Sequence, residues 1–207
     1  LKNLSFKYEN KDNLILDNIN LEINKGSCVA FVGKSGSGKT TLINIIACLL
    51  KSTHGEILID DKSINNSVNS WQKKIGLLSQ DNYLIDDTIK NNIILLNDDD
   101  NFDKKKLEYA TLYSGVDEIL QNLTDGLNTR VGEKGTFLSS GQIQRIALAR
   151  LLYRDPEVMI FDEFTNSLDY ENEDIILNLN NYTLQQHPEH ALQQRFFSEI
   201  ELADQPF

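Results

Sequence analysis

The sequence predicts an α/β fold: a mixed, mostly parallel sheet flanked by helices, with an antiparallel portion and an inserted α-helical subdomain. Three observations lead there. Strand-like alternation opens the chain at Leu4, Phe6 and Tyr8. A continuous apolar run, Cys28 to Val32, passes through a glycine-rich turn into a helical pattern. A second apolar run, Val158 to Phe161, returns after a long helical stretch.

Taken in order, Leu14 to Ile23 alternates and closes in a turn at Lys25-Gly26, and Gly55 to Ile59 alternates again. Between them Cys28 to Val32 has the unbroken apolar character of a strand covered on both faces. Helical spacing follows from Gly38 to Leu50. His54 predicts an exposed turn residue and Trp71 a packed one. From about Asp81 to Arg154 the pattern is mostly helical: Leu107, Ala110, Thr111 and Ser114 share one face, and a second helix runs from Gly141 to Tyr153. Val158 to Phe161 then predicts a buried strand ending in the acidic pair Asp162-Glu163, where α/β folds place their chemistry. The resulting division is a main domain over residues 1–183, with a core of 1–80 and 155–183 and a helical subdomain of 81–154. An atypical tail, 184–207, has no Lys or Asn but holds five Gln, two of the three His and two of the three Pro.

A chain of 207 residues is long enough for one domain with an appended lobe, and 40% hydrophobic residues give it a core. Its net charge of -11 opposes the phosphate neutralisation on which nucleic-acid binding depends, so a nucleic-acid partner is not expected. The longest nearly apolar stretch, Leu42 to Leu50, is about half the ~20 residues of a spanning helix. Cys28 and Cys48 lie in apolar runs without metal or redox spacing and read as reduced core thiols. Asp98-Asp99-Asp100 reads as a solvated loop, since consecutive side chains point different ways.

Gly33-Lys34-Ser35-Gly36-Ser37-Gly38-Lys39-Thr40, followed by Thr41, is a full G-x-x-x-x-G-K-[ST] match between a strand and a helix, the loop of a P-loop nucleoside triphosphatase core. Glycines let backbone N–H groups curl around phosphate oxygens, Lys39 adds a point charge, the Thr40 hydroxyl suits Mg²⁺, and the helix N-terminus favours the anion. Asp162, at a strand end, is placed to hold Mg²⁺ through its water shell, and Glu163 beside it to deprotonate an attacking water.

Leu138-Ser139-Ser140-Gly141-Gln142, standing before the Asp162 strand and opening a helix, resembles the signature of the nucleotide-binding domain of ATP-binding cassette (ABC) transporters. The resemblance covers roughly Leu1 to Asn181. It implies that Ser139, Gly141 and Gln142 engage the γ-phosphate of ATP bound to an opposing cassette, so that MgATP glues a head-to-tail dimer. A serine that merely caps its helix is the alternative. Ser140 replaces a glycine usual in that signature. Gln80 matches the family's Q-loop, where an amide reaches Mg²⁺ or its water and couples to the membrane domain. Tyr8 looks like the adenine-stacking aromatic, although Leu4, Phe6 and Tyr8 also fit one face of an edge strand. Asp169, in Ser167-Leu168-Asp169, resembles the D-loop acid, a place where an N-cap would also fit. Thr88-Ile89 with Asn91-Asn92-Ile93, and Thr129-Arg130-Val131-Gly132-Glu133-Lys134-Gly135, are similar to stretches of exporters rather than importers.

The implied function is ATP binding and hydrolysis in an exporter, at the cytoplasmic face of a membrane, with a second cassette and transmembrane domains as partners. One departure stands out: family domains continue into a strand ending in a histidine that contacts the γ-phosphate, and neither His187 nor His190 follows a Val/Ile-rich run. Binding of ATP and Mg²⁺ is therefore expected, with impaired turnover. A degenerate dimerisation module is the second reading, opposed by the retained Glu163. A soluble DNA-repair or translation ATPase would call for basic surface or long coiled coils, and the sequence has neither.

Overall fold

The structure is a computed structural model that describes residues 1–9, 11–79, 82–95, 102–162 and 197–201. Along the chain come β1 (Lys2–Phe6), β2 (Leu16–Ile19), β3 (Cys28–Val32), α1 (Lys39–Ile46), β4 (His54–Glu56), β5 (Leu58–Ile59), β6 (Lys62–Ser63) and α2 (Val68–Lys74). They are followed by β7 (Ile75–Leu78), α3 (Ile89–Ile94), α4 (Lys104–Tyr113), α5 (Val116–Leu120), α6 (Ser140–Arg154), β8 (Val158–Phe161) and β9 (Phe197–Glu201). Contacts gather these elements into two compact units, one over Leu1–Ile75 that also takes in β9, the other beginning at Gly76.

In the first unit β1 is the middle strand of an antiparallel sheet ordered β2-β1-β4. It is central rather than an edge, and Tyr8 lies beyond its end. Leu4 and Phe6 alternate inward as the sequence predicts, and with Leu16 they meet Leu42 and Ile45 of α1 in one apolar cluster. Burying each of these side chains contributes about 1.5–3 kcal/mol, so the helix behind the phosphate motif is held by packing more than by its own eight-residue length. The alternation from Leu14 to Ile23 yields only the four residues of β2. Asn18 turns to φ 50° and donates its N–H to Ser5 Oγ at 2.9 Å, which breaks the register with β1.

The helical pattern predicted to Leu50 stops at Ile46 because Cys48 takes φ 55° and the Leu49 and Leu50 N–H groups both turn back to Asn44 O. Burial pushes the Cys48 thiol pKa up, in keeping with an unreactive reduced thiol. His54 is exposed as expected, but on the short strand β4 rather than in a turn. The tail set aside as atypical contributes β9, which pairs in parallel with β3 from Cys28↔Phe197 to Val32↔Glu201. The β1-β2, β1-β4 and β5-β6 pairs are antiparallel.

The second unit is built around α6, whose Ile146, Ala147, Leu148, Ala149, Leu151 and Leu152 are buried nearly all round. Against it pack α3 and α4, and Leu107, Ala110, Thr111 and Ser114, the face that the spacing predicts, are all buried. β7 pairs with β8, and the Asp162 N–H donates to Leu78 O at 2.9 Å where the two strands finish.

A polar network sits inside this apolar unit. Asn92 is fully buried; its amide N–H₂ donates to Ile85 O and Thr88 O, and its Oδ1 accepts from the Ile85 N–H and from Arg150. Arg150 also donates to Asn92 O at 2.8 Å and Tyr83 O at 3.0 Å, and burial pushes its guanidinium pKa down. Removing the Asn92 amide takes one of Arg150's three hydrogen bonds and the side-chain partners of Ile85 and Thr88, so Asn92→Leu is expected to cost about 3 kcal/mol in urea unfolding. Leu42→Ala, an apolar deletion in the first unit, is expected to cost about 2–5 kcal/mol in the same assay.

Candidate functional site

β3 ends at Val32 and α1 begins at Lys39, so the phosphate motif occupies the turn between them, as its spacing predicts. Gly36 and Gly38 stand at φ 84° and 92°, a region costly for residues with a Cβ. At Gly38 a Cβ would also lie 2.9 Å from Leu16 Cδ2 and 3.2 Å from Ile15 O, so this glycine is fixed by both conformation and space. Being the N-cap of α1 without a side chain, it leaves the first-turn N–H groups without side-chain capping.

Lys39 arches back over the loop. Its ammonium donates to Gly33 O at 2.7 Å and to Lys34 O at 2.9 Å, which holds the charge at the loop mouth. The Ser37 N–H closes the turn by donating to Lys34 O at 3.1 Å, while Ser37 Oγ is buried without a hydrogen-bond partner. Lys34, Ser35 and Thr40 are exposed. An orphaned hydroxyl, an anchored ammonium and uncapped helix N–H groups are the donors a phosphate group needs.

Thr41 is buried, and its Oγ1 lies 3.3 Å from the Tyr8 hydroxyl. Tyr8 packs edge-on against Phe6, with ring centroids 4.9 Å apart and planes at 84°. It remains 42% exposed, which leaves ring surface for a flat ligand. Phosphate loop and Tyr8 thus belong to one unit, joined through Thr41.

In the second unit Ser139 caps α6 in a reciprocal box: its Oγ accepts the Gln142 N–H at 3.2 Å, and Gln142 Oε1 accepts the Ser139 N–H at 2.9 Å. The capping role considered from sequence is the one observed, and it leaves Ser139 and Ser140 exposed at the helix N-terminus, with Gly141 half-buried behind them. The two exporter-like stretches, far apart in sequence, come together. Thr88 bridges Arg130 in antiparallel fashion, the Ile89 N–H donates to Thr129 O, and the Val131 N–H donates to Asp87 O. Val131 is fully buried there, whereas Phe137, just before the signature, is 77% exposed.

Asp162 is half-buried at the end of β8. Gln80, Glu163, Asp169, His187 and His190, together with Asp98 to Asp100, lie outside the described residues. The network of Asn92 with Arg150 is what sequence reasoning missed: the sequence marks Asn92 only as part of the exporter-like stretch, and its guanidinium partner 58 residues later leaves no local trace.

The family model described as ABC transporter matches residues 16–166. The chain belongs to the ABC transporter family. Over 177 residues it is 41% identical to the alpha-hemolysin translocation ATP-binding protein HlyB of Escherichia coli O6:H1 and, equally, to the leukotoxin translocation ATP-binding protein LktB of Mannheimia glucosida. Each alignment covers 85% of this chain and 25% of the relative, so the chain spans about a quarter of the length of these relatives. Among solved structures, a bacterial Atm1-family ABC exporter with ATP bound superposes with a TM-score of 0.81 at 31% identity, over 97% of this chain and 33% of that one. The chain is an exporter-type ABC nucleotide-binding domain, with the P-loop NTPase fold of an ATPase.

Gly38→Ala is expected to lower the melting temperature and to abolish measurable nucleotide binding by equilibrium dialysis, through left-handed strain and the clash with Leu16. Ser139→Ala loses the α6 cap, at about 1 kcal/mol in thermal unfolding, while leaving nucleotide binding by the phosphate loop intact.

Proposed function

We propose that this cassette binds MgATP in the loop Gly33–Thr40 with Tyr8 against the adenine, pairs head-to-tail with a second cassette, and hydrolyses ATP to drive export through transmembrane domains. The observation that carries the proposal is the phosphate loop itself, with the Lys39 ammonium anchored on Gly33 O and Lys34 O beside the unpartnered Ser37 hydroxyl.

Thr40, Gln80 and Asp162 would hold Mg²⁺, a hard cation that takes oxygen donors, and these side chains supply them. When bound, the ion neutralises charge on phosphate oxygens. The protein's own part is positioning and charge. Lys39 and the α1 N-terminus stabilise the transferred phosphoryl group, and Glu163 removes a proton from the attacking water. From a second cassette, the exposed Ser139 at the capped end of α6, with Gly141 and Gln142, presents backbone N–H groups and a hydroxyl to the γ-phosphate. Asp169 would help position the partner's site. HlyB and LktB are named for the translocation of alpha-hemolysin and leukotoxin. A polypeptide is accordingly the proposed cargo class. The proposed location is the cytoplasmic face of a membrane; no helix among the described residues is long and apolar enough to cross one.

MgATP dialysis is expected to show saturable binding that Lys39→Ala abolishes. Phosphate release is expected to rise faster than linearly with protein concentration and to vanish in Glu163→Gln. Binding with no release at any concentration would favour the non-hydrolysing dimerisation module, and turnover strictly linear in concentration would overturn the shared site.

A further inference from the structure

Helix α1 has eight residues, about 12 Å of rod, with Lys39 and Thr40 on its first turn. Its apolar face, Leu42 and Ile45 against Leu4 and Leu16, holds the rod sideways. Such contacts are non-directional and fix the position along the axis only loosely. Hydrogen bonds at the far end are directional and fix it well. Helix ends leave carbonyls unused by the helix itself, and the abrupt stop at Cys48 leaves those of Ile46 and Cys48 for others.

Two neighbouring side chains of α2 take them. The Trp71 indole Nε1–H donates to Ile46 O at 2.8 Å, and the Gln72 Nε2–H donates to Cys48 O at 3.0 Å, partners 25 and 24 residues apart in sequence. α2 has no fully buried residue. Val68, Trp71 and Gln72, spaced i, i+3 and i+4, are half-buried on one face, while Asn69, Ser70, Lys73 and Lys74 are exposed. That face is the one that meets the end of α1.

We propose that Trp71 and Gln72 are positioning residues for nucleotide binding: they clamp the C-terminal end of α1 and so hold the Lys39 ammonium and the first-turn N–H groups at the other end in register with the phosphates. This rests on the reading of Gly33–Thr40 as the ATP phosphate site. The clamp touches no ligand itself. It acts through a rod too short to bend, so a displacement at Ile46 appears at Lys39.

Trp71 is the only tryptophan of the chain, and its emission therefore reports the clamp alone. MgATP titrated into the full chain is expected to change that emission saturably, in step with binding measured independently by equilibrium dialysis with labelled ATP. Gln72→Leu, which keeps bulk but removes the donor, is expected to weaken MgATP binding about fivefold, and Gln72→Arg, which restores N–H donors, to return it to within about twofold. Dissociation constants unchanged in Gln72→Leu, with only a lowered melting temperature, would overturn the proposal and leave the tie purely structural. So would an emission that ignores MgATP while dialysis shows it bound, a test that needs no substitution. Failure of dialysis to detect binding by the unsubstituted chain would overturn the phosphate-site reading and the clamp with it.

Discussion

Six residues must carry the chain out of β3 and into α1 while turning their N–H groups toward one point, and most of the first unit serves that constraint. Left-handed backbone at Gly36 and Gly38 makes the turn, and a Cβ at Gly38 would crowd Leu16 and the Ile15 carbonyl. Lys39 is tied to the loop's own carbonyls, so its charge needs no ordering when a phosphate arrives. Around this turn β9 pairs with β3, the β1-β2 side packs on α1, and α2 holds the end of that helix. A loop that must hold several donors away from water-like freedom is stable only because its two flanking elements are over-determined.

The second unit solves a different problem. An exposed helix N-terminus that presents donors must still sit on a rigid base, and α6 obtains one by burying most of its circumference. Its first turn is closed by the Ser139–Gln142 box rather than by neighbouring elements, which leaves the end accessible. Deeper along the same helix, Arg150 binds the carbonyls of Asn92 and Tyr83 and so links α6 to the stretch around Thr88, itself bridged to Arg130. The guanidinium has lost much of its hydration and retains its place through three hydrogen bonds, a geometry that tolerates little displacement.

Much of this was legible in the sequence. The phosphate motif is local and its residues dictate their own backbone, so position and spacing sufficed; Leu107, Ala110, Thr111 and Ser114 declared their face by periodicity alone. The chain end of α1 was not legible, because Leu49 and Leu50 continue the apolar pattern while the left-handed turn at Cys48 depends on tertiary carbonyl partners. Strand β9 was equally hidden: Phe197-Ser198-Glu199-Ile200-Glu201 has little strand signature, and its pairing comes from the backbone of β3. Asn92 and Arg150 form one network from positions 58 residues apart, which no periodicity reveals.

ATP recognition by the loop between β3 and α1 is the central claim, and amide hydrogen exchange tests it most directly. With saturating MgATP the account predicts slowed exchange across Gly33–Thr41, retained at low protein concentration, and slowed exchange at Ser139–Gln142 only at concentrations where two cassettes meet. Exchange at Gly33–Thr41 that is the same with and without MgATP would contradict it.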